Sequence, residues 1–439
     1  MTATAHRKTL PNGLRVVAVE MPHLHSTEIA VYVRVGGRDD SRATAGLAHF
    51  LEHMLFRGTA EHPTNLELEA AFEAIGGCVN AATDAESTSY YSRVHPDHVA
   101  EGLRLLAAMV LTPTFPGIDI EKRIITEEAL EDINDHGDDI NPDNLSSSML
   151  WPGHPLGMPT IGYLDTISAI TEADLKGHMA RYYVPTNAVV VAAGRVRADD
   201  VFGAVADAFG TWAGPSAPGR LPPPSDQNEP RCLFVKDADS QVDLQITFRG
   251  FSRPDPQLAA TRLLRRILAG GGCSRLHLNL RERLGIVYSV DAQVAAYDET
   301  GCFSIELSTA PENLLTAVEE VLGETRKLAA EPVGAEELRR VRQGYFFDLA
   351  YSEDSTFEMQ VRYGWGELMG MVKGIDEERA EIEAVDEGTL QAVAQRLFAP
   401  AALNLVAVGP VTATAKRRIE QLLRRYAKEF PTSFQPPGP

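Results

Sequence analysis

Residues 14–20 and 28–35 alternate apolar and polar positions with a period of two, as half-buried strands do, and Asn12-Gly13 ahead of the first is a hairpin turn signal. Segments 43–57, 65–76, 96–112, 117–136 and 171–183 read as helices. Strands at 78–83 and 87–94 follow Gly76-Gly77 and are expected to pair. The longest apolar run, Ala188-Val189-Val190-Val191-Ala192-Ala193, is too short to cross a bilayer and has the length of a buried strand. Consecutive strand pairs with helices packed on one face predict α+β organisation with mostly antiparallel sheets, not a doubly wound parallel sheet.

The same pattern occurs twice. Pro215 to Pro230, with Pro222-Pro223-Pro224 at its centre, reads as an extended linker that divides the chain nearly in half. The first half closes with Leu175, then Tyr183-Val184-Pro185, an apolar run and Gly194. The second closes with Leu390, then Phe398-Ala399-Pro400, an apolar run and Gly409, at the same spacing. An amphipathic helix leading through proline into a buried strand, repeated at this spacing, indicates duplication. The expected domains are therefore 1–214, a linker at 215–230, and a homologous 231–439.

Composition narrows the class. A chain of 439 residues with 44% hydrophobic and 23% charged residues is globular and long enough for two cores. Its formal charge of −20 argues against nucleic acid, which needs basic patches. Cys78, Cys232, Cys273 and Cys302 are scattered without a C-x-x-C, so neither a disulfide framework nor a thiolate metal site is expected. With no leader or membrane span apparent, a cytoplasmic location is the expectation.

The densest chemistry is His49-Phe50-Leu51-Glu52-His53. On a helix, positions i, i+3 and i+4 share a side, so His49 and His53 can hold one metal ion with Glu52 beside it. H-x-x-E-H is the zinc-protease motif H-E-x-x-H in reverse. Catalytic zinc takes three protein ligands and keeps one position open. Candidates for the third lie in Glu121-Lys122-Arg123-Ile124-Ile125-Thr126-Glu127-Glu128. Glu121 and Glu128 share a face two turns apart, with Ile124 and Ile125 between them on the side expected to meet the core; Glu127 points elsewhere. One of the pair would bind metal and the other would support it.

Several stretches together resemble the pitrilysin and mitochondrial processing peptidase family of zinc metallopeptidases. They are Gly46-Leu47-Ala48-His49-Phe50-Leu51-Glu52-His53-Met54-Leu55-Phe56-Arg57-Gly58-Thr59, Gly76-Gly77-Cys78-Val79-Asn80-Ala81-Ala82-Thr83, Glu121 to Glu128, and Arg281-Glu282-Arg283-Leu284-Gly285-Ile286-Val287-Tyr288. The resemblance implies two homologous halves enclosing a chamber, with one zinc per chain held by His49, His53 and Glu128. It makes Glu52 the general base and Glu121 a carboxylate that supports the site. Asn80, Ala81 and Ala82 would form a strand that docks an extended peptide, and Arg281 and Tyr288 would reach the substrate from the second half. Glu52 would take a proton from the attacking water and return it to the leaving amine. The expected activity is cleavage of short or unfolded peptides, by a homodimer or a heterodimer with a related chain. The alternative is a partner subunit that binds without cleaving.

Other signals carry less. The second half has no H-x-x-E-H; its equivalent helix near Leu263 to Ala269 carries Arg265-Arg266. Gly270-Gly271-Gly272 lacks the G-K-[ST] of a phosphate loop. In the loop from Asp132 to Asp143, His136 stands at a calcium-ligand position and Asp143 replaces the bidentate glutamate, which excludes an EF-hand.

Overall fold

The computed structural model describes residues 3–431 and forms two compact units, each built on its own sheet. The first sheet contains β1 (Thr4–Thr9), β2 (Arg15–Glu20), β3 (Thr27–Val33), β4 (Val79–Thr83), β5 (Thr88–Val94) and β6 (Ala188–Gly194), in the order β1-β2-β6-β3-β5-β4. The second contains β7 (Arg231–Val235), β8 (Val242–Gly250), β9 (Val287–Ala296), β10 (Gly301–Thr309) and β11 (Leu403–Val408), in the order β7-β11-β8-β10-β9.

Apart from the added β1, the two sheets have one topology. The pairs β2–β6 and β7–β11 are parallel, and every other pair is antiparallel. The fold is thus α+β with two homologous halves. The glycines that end the repeated segment explain part of the echo. Gly194 (φ +144°) and Gly409 (φ +132°) occupy equivalent corners. A Cβ on Gly194 would lie 2.3 Å from Ser26 O, and one on Gly409 would lie 2.5 Å from Gln241 O. Both corners therefore exclude any larger residue.

The units are not continuous in sequence, unlike the halves 1–214 and 231–439. Among the described residues the first comprises 3–130, 158–221 and 348–375; the second comprises 131–157, 222–347 and 376–431. Burial explains the exchange. Leu145, in the helix Pro142–Leu150, packs with Val406 and Val408 of β11. Met359, Leu368 and Met369 cover Val17, Val19, Ala30 and Val191 of the first sheet. That sheet is thereby buried on both faces, because helices Leu47–Leu55, Val99–Leu111 and Ala198–Phe209 cover the other. The uninterrupted apolar runs Ile29–Val33 of β3 and Ala188–Ala193 of β6 are the sequence trace of this double cover, which leaves β3 buried along its whole length and not half-buried as its alternation suggests.

The proline-rich stretch also starts as part of the first unit. Arg220 bonds both oxygens of Asp39 (3.0 and 2.7 Å), and Arg38 donates to Leu221 O and pairs with the buried Glu86. The segment is pinned at Arg220 by charge-assisted bonds.

Candidate metal centre

The H-x-x-E-H residues lie on the helix Leu47–Leu55, shorter than the predicted 43–57. Gly46 (φ +90°) precedes it because a Cβ there would lie 2.3 Å from Ile161 O, and a separate short turn occupies Arg42–Thr44. Phe50, Leu51, Met54 and Leu55 are fully buried in the first core, which fixes the helix axis and rotation. Truncating any of these large core side chains to alanine costs about 2–5 kcal/mol. Its first turn is capped from a distance: Asp40 Oδ2 accepts from Ala48 N at 3.2 Å. Burial pushes the Asp40 carboxyl up to about 8, against the hydrogen bonds of the helix amides. His178, whose sequence context suggests no ligand role, is buried with Nδ1 3.9 Å from Asp40.

The acidic helix runs Ile118–Leu130 instead of 117–136. Beyond it Asn134 Oδ1 accepts from His136 N and Asp138 N, and Asp132 accepts from Asn141 and Asn144. Asn134 Nδ2 also donates to Lys236 O at 3.1 Å. Glu121, Ile125 and Ala129 form the buried stripe. Ile124 is 46% exposed, so only Ile125 meets the core as expected from the sequence. Glu127 is exposed and takes no part in the cluster.

This packing gathers residues far apart in sequence. One ligand atom each from His49, His53 and Glu128 lies within 4.8 Å of the others. Glu128 Oε1 is 3.7 Å from His49 Nε2, and its Oε2 is 3.8 Å from His53 Nε2. Tetrahedral zinc with bonds of about 2.0–2.2 Å needs donors roughly 3.3–3.5 Å apart, so the Glu128 contacts at 3.7 and 3.8 Å are close to that spacing and the cluster as a whole, within 4.8 Å, would draw together around an ion. The donor set, two imidazoles and one carboxylate, is that of a catalytic zinc site. Glu121 Oε1 sits 2.9 Å from His53 Nδ1, which leaves Nε2 as the ring nitrogen on the Glu128 side. Among the described residues His49 Nδ1 and Glu52 Oε2 are buried without a hydrogen-bond partner.

The surroundings separate the two imidazoles. Burial, then the neighbouring His53, pulls His49 down to about 4, so it is neutral and ready to bind a cation. Burial also lowers His53, but the bond and charge of Glu121, with Glu52 and Glu128, outweigh it and leave the ring above its ordinary value. Burial raises the Glu52 carboxyl; Thr83 and His53 oppose the shift and Glu128 adds to it. A raised His53 has a consequence for pH. In the metal-free chain its stabilising contribution is present below the unfolded value of about 6.5 and lost as pH rises through the folded value. Zinc requires the neutral ring. The rise in melting temperature on adding zinc should therefore grow between about pH 5.5 and 8. Paired thermal scans with and without zinc test this, and a constant or shrinking difference contradicts it.

Strand β4 carries Asn80, Ala81 and Ala82 and pairs only with β5, so it is a sheet edge, and the motif helix packs against it. Asn80 is exposed, with its amide bonded to Cys78 O at 3.1 Å.

Arg281 and Tyr288 belong to the second unit. Arg281 lies in a π-helical run, His277–Arg283, a local geometry frequent at functional sites. Its guanidinium carbon stands 5.5 Å from the Tyr288 ring centroid, and Tyr288 is 86% exposed rather than a core residue. The helix that carries Arg265-Arg266 in that unit is Leu258–Ala269, and Arg265 Nε donates to Ala292 O of β9 at 2.7 Å.

Three residues had no role in the sequence reading. Asp40 gives no local signal, because it caps across eight residues. Thr83 and Arg57 stand inside quoted motifs, yet only their contacts with Glu52 and Glu121 distinguish them.

Comparison with known proteins agrees with the geometry. Residues 15–162 match the family model described as insulinase (peptidase family M16), and residues 169–345 match the model described as peptidase M16 inactive domain. The uncharacterized zinc protease YmxG of Bacillus subtilis is 30% identical over 395 residues, covering 89% of this chain and 95% of that protein. An uncharacterized zinc protease of Mycobacterium tuberculosis is 31% identical over 435 residues, covering 95% of each. The crystal structure of a protease from Helicobacter pylori superposes with a TM-score of 0.84 at 21% identity, covering 93% of this chain and all of that one, a likeness of fold.

Proposed function

Since the chain belongs to peptidase family M16, we propose that it is a zinc-dependent endopeptidase acting on short or unfolded peptides. The observation that carries this reading is the convergence of His49, His53 and Glu128 on one point, with Glu52 buried beside it. The retained donor set speaks against the alternative of a partner subunit that does not cleave.

His49 Nε2, His53 Nε2 and a Glu128 oxygen would hold the ion, one per chain. Zinc, when bound, supplies Lewis acidity that acidifies water and polarises the scissile carbonyl. Glu52 takes the proton of the attacking water and returns it to the leaving amine. Its raised affinity for a proton, a result of burial, suits a group that must hold and then release one at neutral pH. Glu121 fixes the His53 tautomer. The open edge of β4 would accept an extended peptide by strand addition, with Asn80, Ala81 and Ala82 as its docking residues. Enclosure of the peptide by the second half, with Arg281 and Tyr288 polarising its carbonyls, is part of the proposal, as are a homodimeric assembly and a cytoplasmic setting. Among the described residues no helix is long and apolar enough to cross a membrane.

Zinc analysis combined with hydrolysis of a quenched-peptide library tests the reading. Stoichiometric zinc with cleavage supports it. Bound zinc without cleavage of any library member favours the partner-subunit alternative. Within the same assay, Tyr288→Phe should lower kcat by roughly 10-fold or more with zinc content unchanged, as loss of one transition-state donor does. An unaltered rate removes Tyr288 from the mechanism.

A further inference from the structure

We propose that Arg57 is a positioning residue of the metal centre, holding Glu121 in the orientation by which that carboxylate fixes His53. The proposal rests on the zinc reading above and adds a residue to it.

The motif helix ends at Leu55, and Arg57 N closes the following turn on Met54 O at 3.1 Å. The Arg57 side chain then extends toward the first turn of the helix Ile118–Leu130, where its Nε stands 3.5 Å from Glu121 Oε2. The other carboxylate oxygen, Oε1, is the one 2.9 Å from His53 Nδ1. Glu121 thus has the imidazole hydrogen-bonded to one oxygen and a cation 3.5 Å from the other, an ion pair and not a hydrogen bond, since Arg57 Nε and Glu121 Oε2 have no hydrogen-bond partner among the described residues. Its side chain is only 6% exposed, so solvent does little to orient it.

The surrounding chain makes room for this arrangement. Gly117 precedes the acidic helix at φ +75°, and a Cβ there would lie 2.9 Å from Arg57 Nη2. Glycine therefore serves the left-handed backbone and the passage of the guanidinium at one position.

The consequence is chemical. An imidazole binds metal through a nitrogen that carries no proton, and the partner of the other nitrogen sets which one that is. Rotation of the Glu121 carboxylate away from His53 would release the ring to place its proton on Nε2, the ligand atom. Arg57 opposes that rotation by attracting Oε2 in the opposite direction. His49 has no equivalent support, because its Nδ1 is buried without a hydrogen-bond partner among the described residues. Orientation of the His53 ring therefore depends on the Arg57–Glu121–His53 series. Arg57 also separates the roles of two carboxylates on one helix: beside the guanidinium Glu121 stays an outer partner, and Glu128 is left to bind.

The test measures zinc affinity of the full chain by competition with a chromophoric chelator, for the unsubstituted protein, Arg57→Met, Glu121→Gln and the double variant. Arg57→Met should weaken zinc binding about 10-fold, the lower end of what outer partners contribute. In the Glu121→Gln background the same change should have less than about a 2-fold effect, since its route is gone. Arg57→Lys should restore part of the affinity. Melting temperatures of the zinc-free proteins serve as control: a purely structural arginine lowers stability in both backgrounds and leaves zinc affinity unmoved. If Arg57→Met fails to fold, Arg57→Gln replaces it under the same expectations. Unchanged affinity, or an equal loss in both backgrounds, overturns the role of Arg57 while zinc binding by the unsubstituted chain stands. A chain that binds no zinc overturns the functional reading and this proposal together.

Discussion

Glu52→Gln should lower the rate of peptide hydrolysis by about 10²–10⁴-fold while zinc content stays at the unsubstituted level. General-base catalysis contributes on that scale, and the amide keeps the shape of the carboxylate but cannot accept the proton of water. The side chain is buried between the motif helix and β4, next to Thr83, so an isosteric replacement leaves the packing of Phe50, Leu51 and Met54 intact. None of the donor atoms of His49, His53 or Glu128 is touched, and zinc binding is expected to persist. Single-turnover hydrolysis with metal analysis on the same sample gives both answers. Normal turnover would remove Glu52 as the base, whereas loss of zinc together with activity would show that it acts on the cluster instead.

His53→Ala should eliminate zinc at micromolar free metal and activity with it. The change removes one of three protein ligands and isolates Glu121, so the loss should exceed the roughly 10–100-fold attached to an outer partner alone. It also leaves a buried carboxylate facing Arg57 without its imidazole, a local penalty of about 1–3 kcal/mol. The core face of the helix is unaffected, so the variant should fold, with a melting temperature that no longer responds to zinc. Metal analysis after dialysis checks the first statement and thermal scans check the second. Retained stoichiometric zinc in this variant would refute the assigned ligand set.

Much of the fold was legible because its causes are local. The period-two runs became β2 and β3, the strands expected to pair after Gly76-Gly77 became β4 and β5, and the turn at Asn12-Gly13 became the β1–β2 hairpin. Helix ends were read less well, for reasons specific to each. The motif helix is delayed to Leu47 by a left-handed Gly46 that another loop forces, and the acidic helix stops at Leu130 where side chains of Asp132 and Asn134 take over the loop's hydrogen bonds. Ile124 shows the same limit: periodicity placed two isoleucines toward the core, and the packing surface was wide enough only for Ile125.

Periodicity and spacing alone established two imidazoles and a carboxylate on one helical face, a second acidic helix with two candidate ligands, and a duplicated architecture whose repeated segments end in glycine. These are properties of residues a few positions apart, and a backbone with fixed rise and rotation converts such spacing directly into direction. Tertiary structure decided which carboxylate faces both imidazoles, since the pairs His53–Glu121 and His49–Glu128 form only when two separate helices pack. It also decided that segments 131–157 and 348–375 exchange units, because each buries its apolar side chains against the sheet it reaches and not the one nearest in sequence. Contacts of that range depend on how complete cores fill space, which no short window of sequence contains.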